Sequence, residues 1–524
     1  MPLSYETRHY RIWINTEQST CYYIKYTMAI SQTNVSVWLD QRGRTISPLL
    51  HGFSLEHLGR MVYGGVWIGK GSGYSKVTGH RTNLVNALRH VKPGIIKWPG
   101  GPFANNYCWE DGTGPVQKRP HKPNTRWGGV ESNQFGTDEF LRLCEKVEAE
   151  PYICLNTKSG SIQQAIGWLS YCNLSGRHKP DSNHYHQTNP LAPKVQYWKI
   201  GGGHDETDNG FDPIRYANLL KLWGSYLKQR DPFIQLVVSI KDNQNWIAAF
   251  FKTICGYEHL LDYFSLKTHF PTEPFGGIKP TTKKQYYGLF CYLPLLENRM
   301  IRINKFLELY AGTDKNNRLV LDSWGIEHDT AHARNNPEQA VTLRDSLFAA
   351  CILHLLYRFS DSIAIASLNY LANACHTLFF TKEETLIRTP TYHIFDLLKD
   401  HIGSQYIETQ INTSKQRISN HLGSFNLPLV DVLASWNDDT YTLTLTMINL
   451  AFDNEVQIKL SIHGGNSIEG GTAISLRGES PNDQNNFIAP DRIHPRPVPI
   501  KRIDNPMRIT LSPHSLTKLQ LQIC

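Results

Sequence analysis

The sequence predicts a parallel (β/α)8 TIM barrel joined to a C-terminal antiparallel β-sandwich of the jelly-roll type. Short apolar segments recur between residues 48 and 366, and helix-length stretches separate them. Strands that alternate with helices form parallel sheets, and eight such units close into a barrel. After residue 403 the long helices stop, and alternating strands between Gly, Asn, Pro and Asp turns predict the sandwich.

Eight segments are predicted as barrel strands because they are short, apolar and rich in β-branched or aromatic residues. They span residues 48–53, 94–98, 151–155, 195–200, 236–240, 263–266, 319–322 and 362–366. Helical periodicity is clearest at residues 82–90, 137–149, 162–172, 213–230 and 341–358. In such a barrel the active site lies where the strands end, in the loops that follow them.

Four regions are expected along the chain. Residues 1–33 form a polar N-terminal extension that we expect to be poorly ordered, and Met28 is a candidate for the true start. Residues 34–46 carry a strand that we expect to cross over into the sandwich. Residues 47–402 form the barrel and 403–524 the sandwich, within which 464–501 is predicted as a surface loop.

Composition narrows the class of protein. The net charge of +8 is spread thinly, so we expect no nucleic-acid partner. None of the ten cysteines forms a CxxC pair, which is typical of free thiols in a reducing compartment. Without a membrane-length apolar run or a signal-peptide pattern, the expected location is the cytoplasm. No cofactor is expected, and no metal, because His57 and His204 lack ligand spacing.

The predicted strand ends carry a series of long motifs. They are GFSLEHLGR at 52–60, YGG at 63–65, WPGGPF at 98–103, YCWEDG at 107–112, FGTDEF at 135–140, YWKIG at 197–201, RTPTYHIF at 388–395 and PDRIHP at 490–495. In their order and over about residues 34–524, these motifs resemble the α-L-arabinofuranosidases of glycoside hydrolase family 51. The resemblance implies an arabinofuranose-containing oligosaccharide as ligand, and a homo-oligomer.

The resemblance also implies a retaining mechanism with two glutamates, an acid/base after the fourth strand and a nucleophile on the seventh. In this sequence Gly203 stands at the acid/base position and Ser323 at the nucleophile position. Glycine has no proton to donate, and serine cannot stabilise an oxocarbenium ion as a carboxylate does. Both catalytic carboxylates are therefore expected to be missing.

Other positions differ from the family as well. The arginine before the Pro-Gly-Gly motif is Lys97, the asparagine after those glycines is Pro102, and a His-x-Tyr pattern on the sixth strand becomes Lys267-Thr-His269. The substrate-binding residues implied by the resemblance are Glu56, Lys97, Trp98, Asn156, Lys267, His269, Trp324 and Asn369.

Other carboxylates could replace the lost pair. Asp205 and Glu206 follow Gly203 closely, and a tight loop could return one of them to the site. Glu327 shares the side of Ser323 but lies roughly 13 Å farther along the strand, and Asp322 is expected to point to the opposite side. We expect all four to be ordinary loop or supporting residues.

Lys267 and His269 allow another interpretation. They could bind an anionic ligand, or His269 could activate Ser323 as a nucleophile, with Glu56 or Asp205 orienting the imidazole.

Three hypotheses for function follow. The first is a catalytically impaired family member that still binds arabinofuranosides. The second is an active α-L-arabinofuranosidase with relocated carboxylates, and the third is a structural or regulatory subunit of an oligomer.

Overall fold

The computed structural model describes residues 5–7, 27–29, 31–69, 73, 76–174, 194–201, 211–272, 281–311, 318–328, 337–465, 467–500 and 502–524. Outside these ranges lie most of the predicted N-terminal extension and the four loop residues Gly203, His204, Asp205 and Glu206. Within the extension, Tyr5–Thr7 pairs antiparallel with Thr27–Ala29. The predictions made for the four loop residues therefore stay predictions.

The predicted barrel is confirmed: eight strands form a closed ring. In chain order they are Gly52–Ser54, Ile95–Trp98, Glu150–Cys154, Tyr197–Lys199, Gln235–Ser239, Tyr263–Thr272, Arg318–His328 and Ile363–Leu368. Each strand runs parallel to its neighbours, and the first pairs with both the second and the eighth. The lower part of the interior is filled by a separate cluster that includes Ile95, Tyr152, Tyr197, Val237 and Val320.

Helices surround this ring. They are Thr82–His90, Thr137–Val147, Ile162–Asn173, Pro213–Arg230, Gln244–Ile254, Lys283–Phe290, Tyr292–Ala311, Leu343–Arg358 and Pro390–Leu398. Leu343–Arg358 begins at a capping box, in which Thr342 and Asp345 each bond the other's backbone N–H. Its residues are buried from Leu343 to Tyr357, because this helix packs between the barrel and the C-terminal sheet.

Three predicted strand boundaries were wrong. The sixth strand, predicted to end at residue 266, continues to Thr272. Pro48–Leu50 is a turn of 3-10 helix and not a strand, because Ser47 caps the N–H of Leu49 and proline is favoured in a first helical turn. The seventh strand continues to His328, well beyond the predicted end at residue 322. Glu327 therefore lies on regular strand four residues past Ser323, as expected.

The C-terminal domain is a mostly antiparallel sheet of nine strands. In spatial order they are Arg496–Pro497, Ile468–Leu476, Ser515–Ile523, Thr442–Asn449, Val430–Asn437, Gln405–Asn412, Ser31–Thr45, Val456–His463 and Met507–Leu511. The sheet folds over so that its last strand faces Thr442–Asn449 and Ser515–Ile523 across a shared apolar core. As predicted, an N-terminal strand joins this sheet, pairing antiparallel with Gln405–Asn412 and parallel with Val456–His463.

The stretch 464–501 is more than the predicted surface loop. Ile468–Leu476 pairs along most of its length with Ser515–Ile523. The chain then returns to the barrel, where the carbonyls of Pro481 and Asp483 accept hydrogen bonds from the first residues of the helix Leu343–Arg358. This contact was not visible in the sequence because it joins segments more than a hundred residues apart.

Five residues form a hydrogen-bonded chain between the barrel and the sheet, which we call the histidine relay: His354, His401, Asp431, Ser435 and Thr446. Four of them are fully buried, and Asp431 is partly exposed. His354 Nδ1 lies 3.0 Å from Asp431 Oδ2, and its Nε2 lies 2.8 Å from Thr446 Oγ1. His401 Nε2 lies 2.9 Å from the same hydroxyl, and its Nδ1 lies 2.7 Å from Ser435 Oγ.

The hydrogen bonds of the relay all run in one direction, from the Ser435 hydroxyl to the Asp431 carboxylate. The Asp431 carboxylate only accepts, so His354 donates from Nδ1 and accepts at Nε2 from the Thr446 hydroxyl. Thr446 then accepts from His401 Nε2–H, and His401 Nδ1 accepts from the Ser435 hydroxyl. Burial lowers the pKa of both histidines below the ordinary 6.5, which keeps the rings neutral as this arrangement requires.

Candidate functional site

Three strand ends bring charged side chains together at the floor of the barrel mouth. Lys97 is the last residue but one of the second strand, Lys199 ends the fourth, and Asp322 lies on the seventh. The Lys199 ammonium donates to the Asp322 carboxylate. Lys97 Nζ donates to the Asp322 carbonyl at 2.6 Å and lies 3.5 Å from its carboxylate. Tyr152 on the third strand also donates to this carboxylate, at 2.9 Å.

The expectation that Asp322 points away from the site was wrong. Leu321 pairs with Leu266 on the sixth strand, but Ser323 pairs with Lys267, so the seventh strand carries one extra residue at Asp322. Such a β-bulge interrupts the regular alternation of side chains. Asp322 therefore projects into the barrel, among two lysines and a tyrosine.

Burial and neighbouring charges together shift the pKa values of these groups. Burial alone would raise the pKa of Asp322, but the charges of Lys199 and Lys97 outweigh it and hold the pKa well below its usual range. Burial lowers the pKa of Lys97, against the attraction of Asp322. Burial raises the pKa of the nearby Cys154 thiol to about 12, so this cysteine is neutral and adds no negative charge.

Ser323 lies beside Lys267 in the sheet register, buried at the mouth. No hydrogen bond joins its hydroxyl to another described residue. His269 is half-buried, and its Nδ1 lies 2.5 Å from Glu327 Oε1. The structure thus pairs His269 with Glu327, and not with Glu56 as the sequence interpretation allowed. The proposed dyad of Ser323 and His269 is not joined by a hydrogen bond.

Glu56 lies two residues beyond the end of the first strand and is almost fully buried. Its Oε1 accepts from the Phe103 N–H and from the Trp127 indole N–H, both at 3.0 Å. Gly100 has a φ of +118°, and a Cβ there would lie 2.4 Å from Glu56 Cγ, so glycine is required at this position. The sequence analysis did not identify Trp127 as a partner of Glu56.

Trp98 and Trp324 are not brought to the mouth. Because Lys97 faces inward, the next residue along the strand faces outward. Trp98 stacks on Phe140 and donates from its indole to His57 Nε2 at 3.0 Å. Trp324 lies 6.3 Å from Phe395, ring centre to ring centre. Both indoles therefore pack between the barrel wall and its helices.

His57 is a satisfied loop histidine, as expected. Its Nε2 accepts from Trp98, which places the ring proton on Nδ1, 2.5 Å from Glu131 Oε2. Burial alone would raise the pKa of Glu131, but His57 and the hydroxyl of Tyr63 lower it overall. Among the described residues no group of three or more His, Cys, Asp or Glu could hold a metal ion.

The two predicted asparagines differ in their bonding. Asn156 is used in its own loop, where it accepts from Lys158 and Ser159 and donates to the Tyr107 carbonyl. Asn369 is buried, and neither its amide oxygen nor its amide nitrogen bonds any described residue. Only Asn369 offers a free amide, and it does so at the end of the eighth strand.

Two further hydroxyls face the same interior. Ser54 is the register partner of Lys97, and Ser367 is the partner of Gly52 two residues earlier on the same strand. Neighbours in register point to the same face. The Ser54 and Ser367 hydroxyls are buried and bond none of the described residues. The mouth therefore contains polar atoms that the described chain leaves unmatched.

Two family models match this chain. The Alpha-L-arabinofuranosidase 1 domain matches residues 87–270, and the Alpha-L-arabinofuranosidase C-terminal domain matches residues 322–515. Their order follows the barrel and the sheet. The chain belongs to the α-L-arabinofuranosidases of glycoside hydrolase family 51.

Relatives of this family match along most of the chain. The intracellular exo-α-L-arabinofuranosidase of Bacteroides ovatus is 27% identical over 504 residues, covering 94% of this chain and 96% of that protein. The α-L-arabinofuranosidase C of Emericella nidulans is 27% identical over 476 residues, covering 85% and 90%.

Solved structures of the family share the whole architecture. The α-L-arabinofuranosidase of Thermotoga maritima, solved as an arabinose complex, has a TM-score of 0.82 at 26% identity and covers 93% of this chain and 99% of that one. The family 51 arabinofuranosidase of Xanthomonas axonopodis pv. citri has a TM-score of 0.83 at 24% identity, covering 94% and 100%, and supports the fold. No helix in the described part of this chain is long and apolar enough to cross a membrane.

Proposed function

We propose that this member of glycoside hydrolase family 51 binds arabinofuranosides but is impaired in hydrolysing them. The proposal rests on the family motifs, which align Gly203 with the acid/base glutamate and Ser323 with the nucleophilic glutamate. A retaining mechanism needs two carboxyl groups about 5–5.5 Å apart, one on each side of the scissile bond. Neither glycine nor serine supplies one.

The observation that carries this proposal is that every described carboxylate at the mouth is bound to another group. Asp322 is bound by Lys199 and Lys97, and Glu56 by Phe103 and Trp127. Glu327 contacts His269 and lies farther along the strand than Ser323. A carboxylate held in this way is poorly placed to attack a sugar.

Retained binding is supported by Glu56, which survives from the sugar-contacting set, and by the unmatched amide of Asn369. A buried amide without a partner costs about 1–3 kcal/mol, and a sugar hydroxyl would satisfy it. The Thermotoga maritima relative was solved with arabinose, which supports an arabinofuranose-containing ligand here.

The alternatives stay open as proposals. An active enzyme would need Asp205 or Glu206 as acid, with Glu327 as nucleophile. A structural or regulatory subunit would neither bind nor cleave the sugar.

We also propose a homo-oligomer in the cytoplasm. The location is supported by the name of the Bacteroides ovatus relative and by the nine described cysteines, all of which are free thiols.

The test is restoration of the missing carboxylates. The wild-type protein should not release 4-nitrophenol from 4-nitrophenyl α-L-arabinofuranoside, whereas the Gly203→Glu/Ser323→Glu variant should gain turnover. Each general acid/base contribution is typically worth 10²–10⁴-fold. The matched control is Gly203→Gln/Ser323→Gln, which has the same shape without the charge. Gly203→Glu alone should act only with added azide, which replaces the nucleophile.

Two results would contradict the impaired hydrolysis. One is wild-type turnover that disappears when Asp205, Glu206 or Glu327 is changed to its amide, which would favour relocated carboxylates. The other is a double glutamate variant that folds and binds arabinose in calorimetry, yet does not hydrolyse the arabinofuranoside. Absence of any arabinose binding to the wild-type protein would favour the subunit hypothesis.

A further inference from the structure

A cavity of about 490 Å³ lies among the loops that follow the first, second and eighth barrel strands, at the same end of the barrel as the mouth. We call it the rim cavity. It is lined by residues between Arg60 and Gly69 and by Arg81, Gln134 and Glu383, and none of the mouth residues described above lines it. Its volume lies within the range of about 300–1,000 Å³ that small-molecule sites occupy.

Arg81 holds the walls of the rim cavity together. Its side chain is buried, and the guanidinium donates to the carbonyls of Gly64 at 2.8 Å, Gly65 at 3.1 Å and Glu383 at 2.6 Å. The last of these bonds joins segments 302 residues apart in the chain. Because the loop after the first strand is thus fixed to the hairpin after the eighth, the cavity is a built part of the fold.

The indole of Trp67 forms part of the cavity wall. Its ring packs edge-to-face against His80 and Phe135, with ring centres 5.0 and 5.9 Å away. Gly79 has a φ of +97°, and a Cβ there would overlap the indole, so the ring requires glycine at this position. The indole nitrogen is buried and bonds none of the described residues. Such an N–H normally has an acceptor, and the described chain does not supply one.

The other groups at the cavity favour a neutral ligand. Arg60 is paired with Glu338 at 2.8 Å, and Arg81 is occupied by backbone carbonyls. Gln134 is partly exposed, and its amide bonds none of the described residues. An amide both donates and accepts hydrogen bonds, as the hydroxyls of a sugar do. A neutral ligand with several hydroxyls therefore suits the Gln134 amide and the Trp67 N–H.

We propose that the rim cavity is a second carbohydrate site, which binds a neutral mono- or disaccharide through the Gln134 amide and the Trp67 indole N–H. The site lies outside the barrel mouth, so it goes beyond the proposed function and does not depend on the substituted catalytic positions. It would hold a sugar at the same end of the barrel as the mouth.

The test compares four probes on the full chain at constant ionic strength: L-arabinose, D-xylose, α-1,5-L-arabinobiose and sodium D-glucuronate. Calorimetry should show saturable binding of at least one neutral sugar, with glucuronate binding no more tightly. Hydrogen–deuterium exchange should slow in residues 63–69 and 132–134 when that sugar is added. The inference would be overturned if no neutral sugar bound, if glucuronate bound more tightly, or if the protection were confined to other segments.

Variants locate the bound sugar. Gln134→Leu removes the amide at similar size, and Trp67→Phe keeps an aromatic ring without the N–H. Each should weaken binding of that sugar about fivefold or more, as expected for one lost hydrogen bond. The matched control is Gln229→Leu at the exposed end of the helix Pro213–Arg230, which should leave the affinity unchanged. Urea unfolding shows which variants are folded, and unchanged affinity in either folded cavity variant would overturn the inference.

A variant of the mouth separates this inference from the proposed function. Glu56→Gln changes a mouth residue that does not line the rim cavity, so it should leave binding at the rim cavity unchanged. Sugar binding that is lost in Glu56→Gln and kept in Gln134→Leu would belong to the mouth and would overturn the rim site alone. Wild-type turnover of the aryl arabinofuranoside would instead contradict only the proposed function.

Discussion

Two clusters of buried polar residues can be compared in this molecule, one at the barrel mouth and one at the histidine relay between the barrel and the sheet. In the relay, each donor meets one acceptor, from Ser435 through both histidines to Asp431. The charge of Asp431 is matched by Arg358, which donates to its other carboxylate oxygen. Every ring nitrogen of the two histidines has a hydrogen-bond partner, and the charge of Asp431 is paired.

The mouth is built from similar groups but is not balanced. Asp322 faces Lys97 and Lys199, and the nearby amide of Asn369 bonds none of the described residues. Buried polar groups in folded proteins are normally satisfied, so each exception requires an explanation. The relay is complete within the chain and has a structural role. The mouth is incomplete within the described chain, which is what a binding site for an external partner requires.

The largest loss of stability is expected from removing the charge of the Asp322 carboxylate at the floor of the barrel mouth. Asp322→Asn leaves two buried lysines without their counter-charge, and we expect it to lower the free energy of unfolding by about 3–5 kcal/mol. Urea unfolding measures this loss. The control is Asp361→Asn at an exposed pair with Arg44, which should cost less than about 1 kcal/mol.

A second substitution makes that prediction sharper. If the loss in Asp322→Asn comes from uncompensated positive charge, adding Lys97→Met should recover part of it, because one buried charge is removed. If the loss comes only from broken hydrogen bonds, the double variant should be less stable still. That result would contradict the unbalanced floor.

The relay predicts the next effect, a loss of stability in acid. The folded-state pKa values of His354 and His401 lie below the unfolded value of 6.5, so the unfolded chain binds more protons below pH 6.5. Stability is therefore present in full above pH 6.5 and is lost as the pH falls toward the folded values. Each histidine contributes up to about 1.4 kcal/mol per pH unit.

Neighbouring charged groups both raise and lower the pKa values of these two histidines. Asp431 favours the charged form of His354 and Arg358 opposes it, while His354, Lys518 and His51 all oppose charging of His401. Urea unfolding at pH 7.5, 6.5 and 5.5 measures the slope. His401→Gln keeps a donor for Thr446 but cannot take up a proton, so its slope should be shallower than that of the wild type. Equal slopes would show that His401 does not contribute.

The barrel could be predicted from sequence because its signals are local. Each strand is a short apolar run, and each helix keeps its own periodicity, as Pro213–Arg230 shows by matching its predicted bounds. The family resemblance also placed Ser323 on the seventh strand. These features depend on residues that are neighbours along the chain.

The chemistry of the mouth could not be predicted in the same way. The bulge at Asp322 is set by pairing with the sixth strand, and the strand pattern alone indicated the wrong side. The partner of His269 proved to be Glu327, on an adjacent strand and 58 residues later in the chain. The relay likewise collects side chains from separate helices and strands. Such contacts depend on tertiary register, which no local pattern encodes.

The smallest effect is expected from substituting Ser323. This substitution tests whether Ser323 only marks a lost catalytic position or acts as a new nucleophile. The Ser323 hydroxyl bonds none of the described residues, and His269 Nδ1 contacts Glu327 instead. Ser323→Ala should therefore change the free energy of unfolding by no more than about 0.5 kcal/mol and leave hydrolysis of 4-nitrophenyl acetate and of the aryl arabinofuranoside at the wild-type level. A loss of wild-type ester hydrolysis in Ser323→Ala, repeated in His269→Asn, would instead identify a serine nucleophile with a histidine base. The mouth would then be a changed active site rather than a binding site.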